Sequence, residues 1–244
     1  MQPEEYAKLA GVEDAMWYFR ALHAHVEREL KAALGARPAK VLDAGCGTGG
    51  LIRRLAARVP AWQWTGVDVS PLACALARQR CTAEIVEAQV ESLPFAEGSF
   101  DAAVSADVLY HLDDDGAALR ELRRVLRPGG ALVVNVPAYA WLWSYHDVAT
   151  GARRRYARSG LCTALRAAGF TVERATHWNA LVFPLVVAKR KLFSSPRDTS
   201  DVRLASAPVE ASLNGLASME RAWLRLGGQW AWGSSVLVRA RRSE

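Results

Sequence analysis

A glycine-rich stretch at 45–50 is the part of the sequence whose spacing most clearly suggests chemistry. Gly45, Gly47 and Gly50 satisfy the pattern G-x-G-x-x-G, directly after a short apolar run that predicts a buried strand. Glycines at this spacing let the backbone approach a ligand at the start of the following helix. Asp68 ends the next predicted strand, where a carboxylate can accept hydrogen bonds from ribose hydroxyls. Both features fit a dinucleotide site.

Asp43, two positions before the first glycine, argues against a dinucleotide. A carboxylate beside a pyrophosphate is repelled in a partly desolvated site. The same carboxylate attracts a ligand that carries an ammonium and a sulfonium group, and that ligand's own carboxylate can use the helix N-terminus. S-adenosyl-L-methionine has these groups, so it is the predicted cofactor, with S-adenosyl-L-homocysteine as its product. A nicotinamide dehydrogenase is disfavoured.

Two histidines are candidate catalytic bases. Methyl transfer from a sulfonium needs an aligned nucleophile, and a base only where the acceptor loses a proton as it attacks. His111 follows the fourth predicted strand, and His146 lies beyond the fifth, next to Asp147. An imidazole titrates near neutral pH and can take that proton. The alternatives are a helix-start or packing residue for His111 and a surface hydrogen-bonding residue for His146.

An aromatic and basic segment follows the fifth predicted strand. Tyr139, Trp141, Trp143 and Tyr145 alternate, which would put them on one face of an extended segment. We expect Tyr139 and Trp143 to line an acceptor pocket, with loop packing as the alternative. Arg154, in the cluster 153–155, is expected to bind an acidic group of the acceptor. A solvated basic face is the alternative for the arginines.

Apolar periodicity predicts the elements that hold these residues. Strands are predicted at 40–44, 62–69, 83–88, 100–105, 131–136, 170–176 and 235–240, with helices at 51–59, 117–126, 159–168 and 209–226 and another that begins at Pro71; the stretch 193–208 is predicted to be a loop or flexible insertion. Their alternation indicates an α/β, doubly wound, mostly parallel sheet. We predict an N-terminal helical lid (1–38), a cofactor-binding Rossmann-like core (39–178), a cap or insertion (179–234) and a final core strand (235–244).

Composition limits the class of protein. The 244 residues are 51% hydrophobic and 23% charged, which excludes disorder as the main state. The four cysteines match no zinc or haem spacing and no secretory leader precedes them, so we predict reduced thiols, no metal and a cytoplasmic location. A net charge of +6 permits nucleic-acid binding without requiring it. The apolar and basic stretch 181–193 is expected to be a cap helix or a homodimer contact, with peripheral membrane contact as the alternative.

An ordered set of motifs resembles the class I S-adenosylmethionine-dependent methyltransferases, in particular a bacterial subgroup. The set comprises VLDAGCGTGG, GVDVS, SLPFAEGSFDAAVSADVLYHL, LRELRRVLRPGG and LVVNVP, across about residues 40–137. The resemblance implies a seven-stranded sheet whose last strand is antiparallel. It also implies the cofactor-binding residues, which are Asp43, Gly45, Cys46, Gly47, Gly49, Asp68, Val69, Gln89, Val90 and Ala106.

Three positions depart from the family pattern. Gln89 stands where many relatives have an aspartate that binds the adenine amino group, and a glutamine carbonyl can accept the same hydrogen bond. Tyr110 replaces a common glutamate, and Ala152 replaces a histidine that often precedes the arginines. These departures leave open the alternative that the protein is a non-catalytic scaffold that binds S-adenosylmethionine.

The sequence thus predicts an enzyme that moves a methyl group to an O, N or C nucleophile of a small molecule, with secondary metabolism and other biosynthesis as settings. A nucleic-acid methyltransferase is the alternative suggested by the basic charge. It is disfavoured because the tetrapeptide after the fourth strand, 106–109, does not match that of amino-methylating enzymes.

Overall fold

Seven strands form a single sheet in a computed structural model of the protein, which describes residues 3–192 and 200–243. The strands are β1 (Ala39–Ala44), β2 (Trp62–Asp68), β3 (Glu84–Glu87), β4 (Phe100–Ala106), β5 (Leu126–Pro137), β6 (Phe170–Trp178) and β7 (Ser235–Arg242). The helices are α1 (Pro3–Val12), α2 (Trp17–Leu34), α3 (Gly50–Arg58), α4 (Pro71–Arg80), α5 (Asp115–Val125), α6 (Tyr145–Thr150), α7 (Arg158–Ala167), α8 (Phe183–Lys191) and α9 (Ala207–Arg225). Within these ranges no helix has the length and apolarity needed to cross a membrane.

The strand order is β3-β2-β1-β4-β5-β7-β6. β1 pairs in parallel with β2 on one side and β4 on the other, so the order reverses between β1 and β4. β7 is antiparallel to both of its neighbours, β5 and β6. The predicted seven-stranded, mostly parallel sheet with an antiparallel last strand is confirmed. Open sheets of this kind bind ligands at the carboxyl ends of the strands where the order reverses.

Helices cover both faces of the sheet because successive strand residues point to opposite sides. On one face Val41 packs in a cluster with apolar residues of α2, α3 and α4. On the other face its neighbour Leu42 packs with residues of α5 and α7. Strand residues are apolar on both sides, as expected of a parallel sheet buried between two helical layers. This core fixes the strand ends that form the site.

The N-terminal and cap regions differ in detail from the predicted elements. The N-terminal helical stretch is two helices, α1 and α2, interrupted at 13–16. The cap contains α8, within the stretch expected to be a cap helix or a dimer contact, and α9 begins at Ala207, inside the predicted loop 193–208. Residues 193–199 of that loop lie outside the described residues.

The aromatic segment after β5 is not extended, which was the condition for its side chains to share one face. A short 3₁₀ helix (Ala140–Leu142) and then α6 occupy this stretch. A capping box explains the helix, because the Ser144 side chain and the Asp147 side chain satisfy each other's backbone N–H groups. The aromatic side chains therefore do not share one face.

The contact of β7 with α5 gives a test of the fold. The buried Arg242 guanidinium donates from Nη1 to the carbonyl oxygens of Arg123, Arg124 and Leu126, at 3.1, 3.1 and 2.5 Å. Arg242→Met removes donors from these helix-terminal carbonyls, so we expect the free energy of unfolding to fall by about 2–3 kcal/mol. Urea denaturation measures it. Arg166→Met, at an exposed position of α7, is the control and should change it by less than about 0.5 kcal/mol.

Candidate functional site

A cavity of about 930 Å³ lies at the carboxyl ends of β1, β2 and β4. Asp43, Asp68 and Ala106 form part of its wall at the sheet edge. The N-terminal helices and the cap close it, with Tyr6 of α1 and Leu185 of α8 among the lining residues. A volume in this range is enough for a nucleoside-sized ligand together with a second small molecule.

The glycine loop between β1 and α3 takes its path from contacts within the protein. Gly45 has φ +89°, and a Cβ on it would lie 2.2 Å from Cγ2 of Val108. A Cβ on Gly50, the first residue of α3, would lie 1.5 Å from Oε1 of Glu13. Gly47 has φ +52° and more space, with Leu9 Cδ2 at 3.7 Å. A side chain at Gly45 or Gly50 would therefore displace a neighbour that lines the cavity.

Asp68 is held at the end of β2 by backbone donors. Its Oδ2 accepts a hydrogen bond from the Gly47 N–H at 2.9 Å, and its Oδ1 accepts one from the Ser70 N–H at 2.9 Å. The Tyr6 hydroxyl donates to the same Oδ1 at 3.3 Å. The carboxylate thus connects the glycine loop, the start of α4 and the N-terminal helix, and its orientation is fixed.

Asp43 is a buried carboxyl group that lacks a partner. It is 2% exposed, and its side chain takes no hydrogen bond from any residue that the structure describes. Burial, together with the negative charges of Asp68 and Glu13, raises the pKa of Asp43 to about 8. A cationic ligand would relieve this repulsion, whereas a phosphate would add to it. The carboxyl oxygens at this edge of the sheet therefore fit the ammonium and sulfonium groups of S-adenosylmethionine.

Glu13, between α1 and α2, fastens the N-terminal region to the glycine loop. Its carboxylate accepts hydrogen bonds from the Thr48 hydroxyl at 2.8 Å and from Arg80 Nη1 at 2.8 Å. Arg80 also donates to Asp14 at 2.8 Å. The charge of Arg80 is therefore balanced by Glu13 and Asp14, and it does not neutralise Asp43.

Asp107, directly after β4, lines the cavity and was not singled out from the sequence. It has φ +56° and accepts hydrogen bonds from the Tyr18 hydroxyl and from Asn135 Nδ2, each at 2.8 Å. Asn135 in turn accepts one from Trp178 Nε1 at 2.7 Å. Burial raises the pKa of Asp107 to about 6 against the effect of these donors. Its position at the end of a buried parallel strand was the available signal.

The hydrogen bonds of His111 determine which ring nitrogen carries its proton. Nδ1 lies 3.2 Å from the carbonyl oxygen of Gly151, which can only accept, so Nδ1 is the donor. Nε2 is buried and has no hydrogen-bond partner within the described part of the chain. Burial lowers the pKa of His111 to about 4, so the ring is neutral near pH 7 and its lone pair is on Nε2.

His146 has the opposite arrangement. Its Nδ1 accepts a hydrogen bond from the backbone N–H of Asp201 at 3.0 Å, so the proton of the neutral ring lies on Nε2. Burial, followed by the positive charge of Arg190, lowers the pKa of His146 to about 4. Both histidines line the cavity, but only His111 offers a free lone pair.

Most of the residues expected to bind the cofactor line this one cavity. They are Asp43, Gly45, Cys46, Gly47, Asp68, Val69, Gln89, Val90 and Ala106. Gly49 is the exception and precedes α3, where its Cβ position lies 3.2 Å from Ala77. The binding roles of these residues stay predictions.

The residues expected to bind the acceptor are absent from the described lining of the cavity. Tyr139 stacks against Trp141 and His177, with ring centroids 5.6 and 5.3 Å apart. Trp143 is 37% exposed and is in contact with α8 through its carbonyl oxygen. Arg154 donates to Asp115 at 3.1 Å and to the carbonyl oxygens of Leu112 and Asp113.

Arg155, the neighbour of Arg154, does line the cavity. Its Nε and Nη2 donate to the two carboxylate oxygens of Asp147 at 2.7 and 3.0 Å, and its Nη1 donates to the carbonyl oxygen of Ala138 at 3.0 Å. Both side chains are 1% exposed. The run of three arginines gave no signal as to which one points inward.

The sequence matches a family model described as a methyltransferase domain over residues 42–134. It is 37% identical over 136 residues to malonyl-[acyl-carrier protein] O-methyltransferase of Pseudescherichia vulneris, covering 51% of each chain. It is 39% identical over 112 residues to demethylmenaquinone methyltransferase of Thermus thermophilus, covering 44% of this chain and 51% of that protein. The chain therefore spans about half the length of these curated relatives.

A solved structure extends the likeness beyond the matched domain. Geranyl diphosphate C-methyltransferase of Streptomyces coelicolor, in complex with Mg²⁺, geranyl diphosphate and S-adenosyl-L-homocysteine, superposes with a TM-score of 0.62. The superposition covers 92% of this chain and 80% of that one, at 18% identity, so it concerns the fold alone. The chain therefore resembles methyltransferases in sequence over residues 42–134 and in fold over most of its length.

Proposed function

We propose that the protein is an enzyme that uses S-adenosyl-L-methionine to methylate a nucleophilic atom of a small molecule. The observation that carries this proposal is the buried, unpaired Asp43 beside Asp68 and Glu13. Three carboxyl groups around one glycine loop favour a cationic ligand and disfavour a nicotinamide dinucleotide, whose pyrophosphate is anionic.

The residues at the sheet edge would hold the cofactor as follows. Asp43 would bind its ammonium group, Asp68 its ribose hydroxyls, and Val69 and Gln89 would contact the adenine. When bound, the cofactor supplies an electrophilic methyl group. Gln89 and Val69 line the cavity and their side chains are exposed, so both are free to contact the planar adenine ring.

His111 is the base that we propose for an acceptor that loses a proton. Its Nε2 carries the lone pair and has no partner among the described residues, so it can accept a hydrogen bond from a hydroxyl or amine in the cavity. His146 presents an N–H at the equivalent atom and would donate to the acceptor instead.

The N-terminal region and the cap would exclude water from the reaction. Tyr6 and Trp17 line the cavity from residues 3–38, and Val182 and Leu185 line it from residues 179–234. We propose that these two regions are the lid and the cap around the core. Excluding water strengthens the interaction of the cofactor with the carboxylates beneath it.

Calorimetric titration with S-adenosylmethionine, S-adenosylhomocysteine and NAD tests the proposed cofactor. We expect both adenosyl compounds to bind and NAD not to bind. Asp68→Ala should weaken binding at least tenfold, because it removes a ribose acceptor and the partner of the Gly47 N–H. Asp113→Ala, at a side chain that is 85% exposed, is the control. An intact, folded protein that binds neither adenosyl compound would refute the proposal.

The raised pKa of Asp43 gives a pH test without ligand. The folded protein keeps this proton up to about pH 8, whereas the unfolded chain loses it near pH 4. The folded state therefore binds more protons between these values, and its stability falls as the pH rises, by at most about 1.4 kcal/mol per pH unit from this group. Asp43→Asn should flatten the fall and also weaken S-adenosylmethionine binding. Urea denaturation at pH 5, 6 and 7 checks the slopes; equal slopes in both proteins would contradict the assignment.

The choice between the histidines is tested by paired substitutions. His111→Gln should lower the rate of S-adenosylhomocysteine release with a hydroxyl or amine acceptor by about 10²–10⁴-fold. Binding of S-adenosylhomocysteine should change less than threefold. His146→Gln can still accept the Asp201 N–H through its amide oxygen, so we expect a smaller loss of rate. The opposite ranking of the two variants would overturn the role of His111.

A further inference from the structure

The charged residues that line the cavity are unevenly distributed. Glu13, Asp43, Asp68 and Asp107 lie around the carboxyl edge of the sheet. The described cationic residues of the lining all come from the segment 155–203, and they are Arg155, Lys189, Arg190 and Arg203. We call the part of the cavity lined by these four residues the basic end.

Three carboxylates also lie at the basic end, and they balance all but one of its positive charges. Asp147 is bound on both oxygens by Arg155. Asp201 accepts from Arg190 Nη2 at 3.1 Å and from the Tyr145 hydroxyl at 2.8 Å, and Lys189 also donates to it. Glu210 accepts from the backbone N–H groups of Ala205 and Trp17 at 3.1 and 2.9 Å. Three carboxylates against four cations leave one positive charge in this described part of the lining.

Arg190 has a donor that these contacts do not use. Its side chain is 11% exposed, and its Nε is buried without a hydrogen-bond partner among the described residues. A buried N–H group without an acceptor is unfavourable. The positive charge of Arg190 acts on His146 and Arg155. It adds to the effect of burial in lowering the pKa of both groups.

Apolar side chains of α8 and the residue before it also line the cavity. They are Val182, Leu185 and Val186. An acceptor with an apolar body and one charged group would match this combination. The planar guanidinium offers parallel N–H donors to a carboxylate or a phosphate.

We propose that the methyl acceptor carries an anionic group, a carboxylate or a phosphate, which binds at the basic end with Arg190 as its main ligand. The inference rests on the proposed function, because it assigns the acidic edge of the cavity to the cofactor. The acceptor then approaches the methyl group with its anionic group turned away from Asp43 and Asp68. Like charges are kept apart and opposite charges meet at both ends of the cavity.

The test uses the whole chain saturated with S-adenosylhomocysteine and three probes of equal alkyl length: octanoate, octyl phosphate and octanol. Calorimetry should show that at least one of the two anions binds at least tenfold more tightly than octanol. Arg190→Gln should remove this preference and leave the affinity for octanol within twofold. Lys191→Gln is the matched control, since it removes one charge from the same helix outside the described lining.

Arg190→Lys distinguishes the loss of the positive charge from a loss of local structure. It keeps the positive charge and should keep the preference for the anion, whereas a loss of local structure would affect both variants. A preference for one anion only identifies its chemistry as that of the acceptor. Equal binding of octanol and both anions, or an unchanged preference in Arg190→Gln, would overturn this inference while the binding of S-adenosylhomocysteine upholds the proposed function. Absence of S-adenosylhomocysteine binding would refute both.

Discussion

The burial of three carboxyl groups at the carboxyl edge of the sheet is the constraint on which the rest of the site depends. Asp43 is at the end of a strand that is apolar on both sides, so it cannot turn toward solvent. Asp68 and Glu13 lie close enough to raise its pKa together with burial. Asp68 is satisfied by backbone N–H groups and Glu13 by Arg80, which leaves Asp43 as the carboxyl group in need of a cation. Groups with such shifted pKa values are concentrated at functional sites.

The same constraint changes the meaning of the glycine pattern. Such glycines are usually explained by close approach of the ligand. Here Gly45 is required because Val108 fills the space beside it, and Gly50 because the Glu13 carboxylate lies over the first turn of α3. Only Gly47 combines a positive φ with a backbone N–H that is directed at Asp68. Two of the three glycines are therefore required by contacts within the protein, and the third orients the Asp68 carboxylate.

The sheet and its strand ends could be predicted because they depend on local patterns. Apolar runs that alternate with helical patterns predicted all seven strands. The carboxyl ends of parallel strands lie at one edge of the sheet, so Asp43 and Asp68 could be expected to lie close together. Asp107 was missed because its partner Tyr18 is 89 residues away, and no local pattern indicates that contact. Arg155 was missed for a related reason: the structure around Asp147 decides which of three adjacent arginines points inward.

The two histidines differ in tautomer because of their backbone contacts, a difference that neither the sequence nor the pKa values reveal. Burial lowers the pKa of both His111 and His146 to about 4, so both rings are neutral near pH 7. A carbonyl oxygen at Gly151 and an N–H at Asp201 give the two rings opposite tautomers. The proposed proton acceptor is therefore selected by a backbone carbonyl oxygen and not by a difference in pKa: His111 Nε2 would take a proton from the acceptor, whereas His146 would present an N–H.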